Sequence, residues 1–179
     1  MTRLPDPSPS ALPEPVRDFL TALPPDPMVR MLSHSAGTVR PFVELARAQF
    51  TALDLPARSR ELVILAVAAR TGSTFVGAQH EPMADAAGVE EHVRRLVREG
   101  VFDGPGLAGA DRALLRFTDE VLSGPSVPDD VFEAARRHLS DRELVEVLQV
   151  IGYYWTFGRI STVLDVPVTR VYGDEPILE

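Results

Sequence analysis

From Met28 to the neighbourhood of Pro167, apolar positions recur every three or four residues, and strict alternation is almost absent. That is the spacing of one helical face, so the chain is expected to be all-α. A helix over about residues 41–53 places Phe42, Leu45, Ala46 and Phe50 on one face, with Pro41 in the tolerated first turn. A second helix is expected over about 56–70, then a break at Thr71-Gly72-Ser73 and a third helix to about Ala87, where Gly88 supplies a left-handed cap. Shorter amphipathic helices follow over about 89–99, capped by Gly100, over about 110–122 after a glycine-rich loop, and over about 128–139. Ser140 and Glu143 have the S-x-x-E spacing of a capping box, which opens a long helix from Asp141 to about Leu164, ahead of Pro167.

Two segments depart from simple amphipathicity. The run 62–69 is apolar almost without interruption, and residues Val147 to Ile160, with Tyr153, Tyr154 and Trp155 among them, cover more than one face of their helix. A helix apolar nearly all round is buried by its own domain plus another layer or another subunit, so an oligomer (dimer, trimer or hexamer) is expected. The aromatic trio reads either as core or subunit interface, or as the lining of a cavity. Before Met28 the pattern breaks down. Eight prolines leave only 16–23 able to make a helical turn or two, so the segment reads as an extended arm. Its Leu4, Leu12, Phe19 and Leu20 belong either to a loose tail or to a strap across a neighbouring subunit. The organisation expected is an arm and lead-in over 1–40, a helical domain over 41–165 and a tail over 166–179.

Composition narrows the function classes. With 179 residues and a net charge of −8, the chain suits one domain and offers no clustered Lys and Arg surface for phosphates, so no nucleic-acid partner is expected. The N-terminal segment lacks the apolar core of a signal peptide, and no later run is long enough for a membrane span; a cytoplasmic protein with no membrane association is expected. There is no cysteine, which removes disulfides, thiolate metal sites and thiol redox chemistry together.

Glu61 sits at the edge of the apolar run 62–69, where a carboxylate needs a partner, and His80 follows nineteen residues later. At about 1.5 Å of rise per residue, Glu61 lies roughly 14 Å before the turn and His80 roughly 10 Å after it. If the two helices fold back as a hairpin, both side chains reach similar heights. A buried Glu beside a neutral imidazole orients the ring, selects its tautomer and raises its basicity, which suits proton transfer. The same pair could instead only tie two helices together. A metal site is not expected, because no second histidine lies three or four residues from His80, and His34, His92 and His138 fall in separate segments. Ser73, directly after the glycine turn, reads as the N-cap of the next helix.

The stretch RELVILAVAARTGS, continuing to AQH and followed by a glycine-capped helix and by SDRELVEVLQVIGYYWTFGRISTVL, resembles the carboxymuconolactone decarboxylase and alkylhydroperoxidase D-like (AhpD-like) superfamily over about residues 41–164. Redox members carry a Glu and then a C-x-x-C-x-x-x-H run. Aligning that histidine on His80 places the glutamate at Glu61 and the two cysteines at Ser73 and Val76. The resemblance implies an AhpD-like helical bundle, oligomeric assembly and a Glu61 and His80 proton relay. It does not imply peroxidase activity, since neither side chain at the cysteine positions can pass through the thiol oxidation cycle. Cysteine-free relatives often read S-E-Y-E-W-x-x-H across this turn, whereas residues 73–80 hold no acid.

The resemblance thus implies a lyase or isomerase that acts, without a cofactor, on a small-molecule substrate: an oxygenated acid, lactone or enone undergoing decarboxylation or proton shift. His80 would move the proton and Glu61 would hold the imidazole. Candidates beside the substrate are Ser73, Gln79, Tyr153, Tyr154 and Trp155, with Arg60 or Arg159 for a carboxylate. The competing expectation is a non-catalytic oligomeric binding or scaffold protein on the same helical core.

Overall fold

The structure, a computed structural model, describes residues 2–168; the expected tail lies outside the described residues from 169 onward. Nine α-helices, and no strand, are present among them. The central helix is α4 (Ala57–Thr71), whose eight consecutive residues from Glu61 to Ala68 are all buried. It is surrounded by α5 (Thr74–Ala86), α6 (Glu91–Arg98), α7 (Gly109–Ser123) and α9 (Asp141–Val163), which explains why no face of it needs to be polar. The remaining helices are α1 (Glu14–Thr21), α2 (Pro27–Leu32), α3 (Val39–Thr51) and α8 (Asp129–Arg136).

Local chemistry sets the boundaries. Gly72, at φ 64°, ends α4 in the left-handed conformation that only glycine adopts without strain, and Ser73 begins α5 by accepting a hydrogen bond from the Val76 amide. Those two residues turn the chain back on itself, so α4 and α5 pack as a hairpin. The capping box at Ser140 and Glu143 is present in full at the start of α9. Buried Glu146 on α9 accepts the amides of Asp54 and Leu55, at 3.2 and 2.7 Å, and so ties the α3–α4 connection to the bundle.

The C-terminal half of α9 crosses the α4–α5 turn at Gly158. A Cβ there would stand 2.9 Å from Thr71 Oγ1 and 3.3 Å from Ser73 Cβ, and this close approach brings the Ser73 and Ser161 hydroxyls to 2.8 Å. Gly158→Val is therefore expected to lower stability by about 1–3 kcal/mol, read as a drop of several degrees in Tm. Gly77→Ala, inside α5 with nothing within 4 Å of the new methyl, should not. Equal melting of the two variants would remove the close crossing.

Two sequence expectations change. Leu45, placed on the apolar face of α3, is 46% exposed, because the inward stripe of that helix runs through Val39, Val43 and Gln49 instead. The N-terminal arm is not a loose tail; it is seated on its own chain. Arg3 donates its amide to the Leu164 carbonyl and pairs with Asp165, His34 Nε2 meets the Pro5 carbonyl at 2.9 Å, and Arg40 lies over the Phe19 ring. Within it, Asp26 caps α2 through the Met28 and Val29 amides with Pro27 in the first turn, and Met28 and Met31 pack with Phe75 and Val166 in a small second core. No helix among the described residues is long and apolar enough to cross a membrane.

Candidate active site

The α4–α5 hairpin brings Glu61 and His80 together. Glu61 is fully buried; His80 Nδ1 lies 2.8 Å from its Oε2. The second oxygen, Oε1, accepts from Arg60 Nε and Nη2 at 3.1 and 3.0 Å. Burial works against the negative charge, but the attraction and hydrogen bond of His80, followed by those of Arg60, outweigh it and hold the Glu61 carboxyl below the ordinary glutamate value. A charged carboxylate only accepts, so Nδ1 carries the proton and donates it, and in the neutral ring Nε2 keeps its lone pair.

Rings fix the imidazole from two more directions. Tyr154 meets it edge-on at 4.8 Å between centroids, and Phe50 stacks alongside at 6.3 Å. The Arg60 guanidinium lies 4.3 Å over the Phe50 ring and also donates to the Gln49 carbonyl. Arg60 therefore spends its donors on Glu61 and α3.

His80 forms part of the wall of a cavity of about 290 Å³ between α3, α5, α9 and the arm. The wall is mostly hydrocarbon and aromatic, from residues such as Leu23, Val43, Phe50, Val76 and Phe157, with a few polar groups: Asp26, Arg47, Thr51, Gln79, His80 and the two tyrosines. Such a concave apolar site with few polar groups is the usual form of a small-molecule pocket. Burial, then Asp26, pushes the Tyr153 phenol far up, and burial, then Glu61, does the same to Tyr154. Both stay protonated at neutral pH, which suits them to donate hydrogen bonds and not to act as bases.

Of the residues expected beside a substrate, Gln79, Tyr153 and Tyr154 line the cavity with His80. Ser73, Arg60, Trp155 and Arg159 do not. Ser73 is buried in the α5 cap against Ser161, Arg60 is committed to Glu61, and Trp155 and Arg159 are exposed on α9. Glu61 stands behind His80 and not in the wall. Arg47, Phe50 and the arm residues Leu23, Pro24 and Asp26 were not anticipated. The i, i+3, i+4, i+7 series Val43, Ala46, Arg47, Phe50 was visible in the sequence, and an arginine inside such a stripe was the available signal. No group of three His, Asp or Glu side chains placed to hold a metal occurs among the described residues.

No family model matches the chain, and no curated protein matches it in sequence. Solved structures do match. An uncharacterized peroxidase-related protein from Ralstonia eutropha JMP134, described as an alkylhydroperoxidase AhpD core, superposes with a TM-score of 0.76 at 20% identity, over 93% of this chain and 91% of its own. The chain has the AhpD-like fold. An Agrobacterium tumefaciens protein of unknown function that carries the AhpD name matches at 0.68 and 24% identity, over 80% of this chain and 96% of its own. The debrominase Bmp8, crystallised as a cysteine-to-alanine variant with 2,3,4-tribromopyrrole, matches at 0.71 and 17% identity, over 94% and 92%. In this cysteine-free version of the AhpD-like fold, Val76 offers hydrocarbon to the cavity and Ser73 offers only a helix cap.

Proposed function

We propose that the protein is a lyase or isomerase, working without a cofactor, that moves a proton on a small oxygenated acid, lactone or enone through His80. The observation that carries this reading is the 2.8 Å contact of His80 with buried, charged Glu61 at the wall of an apolar cavity. Nε2 of the neutral ring accepts a proton from a carbon next to the substrate carbonyl, and the electron pair left behind delocalises onto the carbonyl oxygen as an enolate or dienolate. Donors such as the Tyr153 and Tyr154 hydroxyls are suited to that oxygen. The imidazolium then returns the proton to the same carbon or one conjugated with it; in the decarboxylating variant, CO2 leaves and the proton goes to the carbon that carried it. Glu61 is a positioning residue that stabilises the imidazolium without touching substrate. A fold relative that is a debrominase, solved with a halogenated pyrrole, supports a compact ring as the kind of guest this architecture accommodates. Thiol peroxidase chemistry is excluded from the reading by the cysteine-free sequence.

The test is solvent exchange. Incubated in D2O with a panel of unsaturated keto acids, enones and lactones, the wild type should introduce deuterium next to the carbonyl of at least one compound, seen by NMR. A panel with no exchange above buffer for any member, and no CO2 release, would contradict the proposal. The reading includes a homo-oligomer. Exposed Val145, Leu148 and Trp155 line one side of α9 at helical spacing, with Gly152 between them allowing close approach of a second copy. Light scattering should give a mass above one chain, reduced by Leu148→Glu with Trp155→Glu; a monomeric wild type would refute assembly.

A further inference from the structure

The cavity wall has one feature that proton transfer does not use. α3 faces the cavity with Val43, Ala46, Arg47, Phe50 and Thr51, and Arg47 is the only Lys or Arg in the lining among the described residues. Arginines elsewhere are mostly matched with acids, as Arg58 is with Asp111 and Glu90, and Arg94 with Glu91. The Arg47 side chain makes no hydrogen bond or ion pair with any described residue, in a chain with 26 acidic and 18 basic residues. Asp26, the only acid in the same lining among the described residues, uses Oδ1 to accept the Met28 and Val29 amides at the start of α2.

We infer that Arg47 is a specificity-determining residue that anchors the carboxylate of a compact, predominantly hydrocarbon or aromatic acid, whose far end is then held against His80. Arg47 lies one turn before Phe50 on α3, about 4.5 Å along the axis, and the Phe50 ring stacks on the imidazole. Arg47 and His80 both belong to the lining of one cavity of about 290 Å³, which suits a ligand of one or two rings and admits little more. The planar guanidinium suits a carboxylate through two parallel hydrogen bonds. Its exposed position at the rim lets the anion keep part of its hydration while the body of the ligand is buried.

The assignment rests on the proton-transfer reading for its chemistry and narrows it. An arginine that stabilises a ground-state carboxylate opposes loss of that carboxylate as CO2, because the charge it binds disappears in the transition state. The anchored group is therefore a spectator. A monocarboxylic substrate undergoes a proton shift at the His80 end, with no change of oxidation state, and decarboxylation requires a second carboxyl group there.

Binding separates the two claims. Cinnamate and its neutral isostere cinnamamide, titrated calorimetrically at low salt, should differ by about tenfold or more in Kd in favour of the anion, and the preference should shrink as salt screens the charge. Arg47→Gln should abolish the preference by weakening cinnamate alone, and Arg47→Lys should keep part of it. His80→Ala should leave the preference intact. Equal binding of the two probes by wild type, an unchanged preference in Arg47→Gln, or binding of neither probe would overturn the assignment. An intact anion preference combined with no deuterium exchange on any carbonyl acid would instead sink the catalytic reading and leave Arg47 as the anchor of a binding protein.

Discussion

Replacing His80 by alanine is expected to lower turnover by about 10²- to 10⁴-fold, the range contributed by general acid and base catalysis, while the helical fold stays in place. Survival of the fold follows from what the ring touches. His80 borders a cavity that already exists, so truncation enlarges that space and does not open a new void in packed core. Glu61 keeps Arg60 as its partner through two hydrogen bonds, so no buried charge is stranded. Circular dichroism should show an unchanged helical spectrum and a Tm within a few degrees of wild type, while the rate on any substrate found by exchange collapses. A His80→Ala enzyme that turns over at the wild-type rate would remove the imidazole from the mechanism.

The second large effect is expected at Glu61, and it is one of stability as much as rate. Glu61→Ala removes the buried acceptor shared by the Arg60 guanidinium and the His80 Nδ1–H, leaving Arg60 only the Gln49 carbonyl, which costs about 3–5 kcal/mol. For a chain of this size that is a fall of roughly 6–20 °C in Tm. Because the folded carboxyl sits below the ordinary glutamate value of 4.5, its contribution is fully present above about that pH. It is lost as pH falls through the lower folded value. Acid unfolding of Glu61→Gln should therefore be less steep than that of wild type below about pH 4.5. Glu61→Gln should also lower kcat by about 10²-fold with little change in KM, since an amide can accept from Nδ1 but does not offset the charge of the imidazolium. Parallel loss of kcat and substrate binding would mean that Glu61 only supports the fold.

The pairing behind both predictions was legible in the sequence because each step is local. A left-handed glycine at 72 and a capping serine at 73 dictate a hairpin, the apolar run 62–69 dictates that its first arm is buried, and similar distances from the turn bring Glu61 within reach of His80. Arg60 was not legible as part of the relay, since position 60 alone does not say whether its long side chain turns toward the cavity or back along α4 to Glu61. Trp155 differs from Tyr154 and Tyr153 by one and two positions on a helix apolar nearly all round, and only the placement of α3 and α5 decides which of them meet the cavity. The seating of the arm was hidden for the same reason. Its prolines rule out long helices, but its docking depends on distant partners such as Arg40, Leu164 and Asp165.

The account stands on one arrangement: a neutral imidazole whose Nδ1 proton is given to Glu61 and whose Nε2 is left as the base. Nitrogen-15 NMR of the histidine rings reads it directly, with His80 identified by its loss in His80→Ala. The result expected for the neutral ring is a protonated Nδ1 and an unprotonated Nε2, with the Nε2 signal moving when a ligand fills the cavity. A protonated Nε2 with a bare Nδ1, or a signal indifferent to ligand, would contradict it.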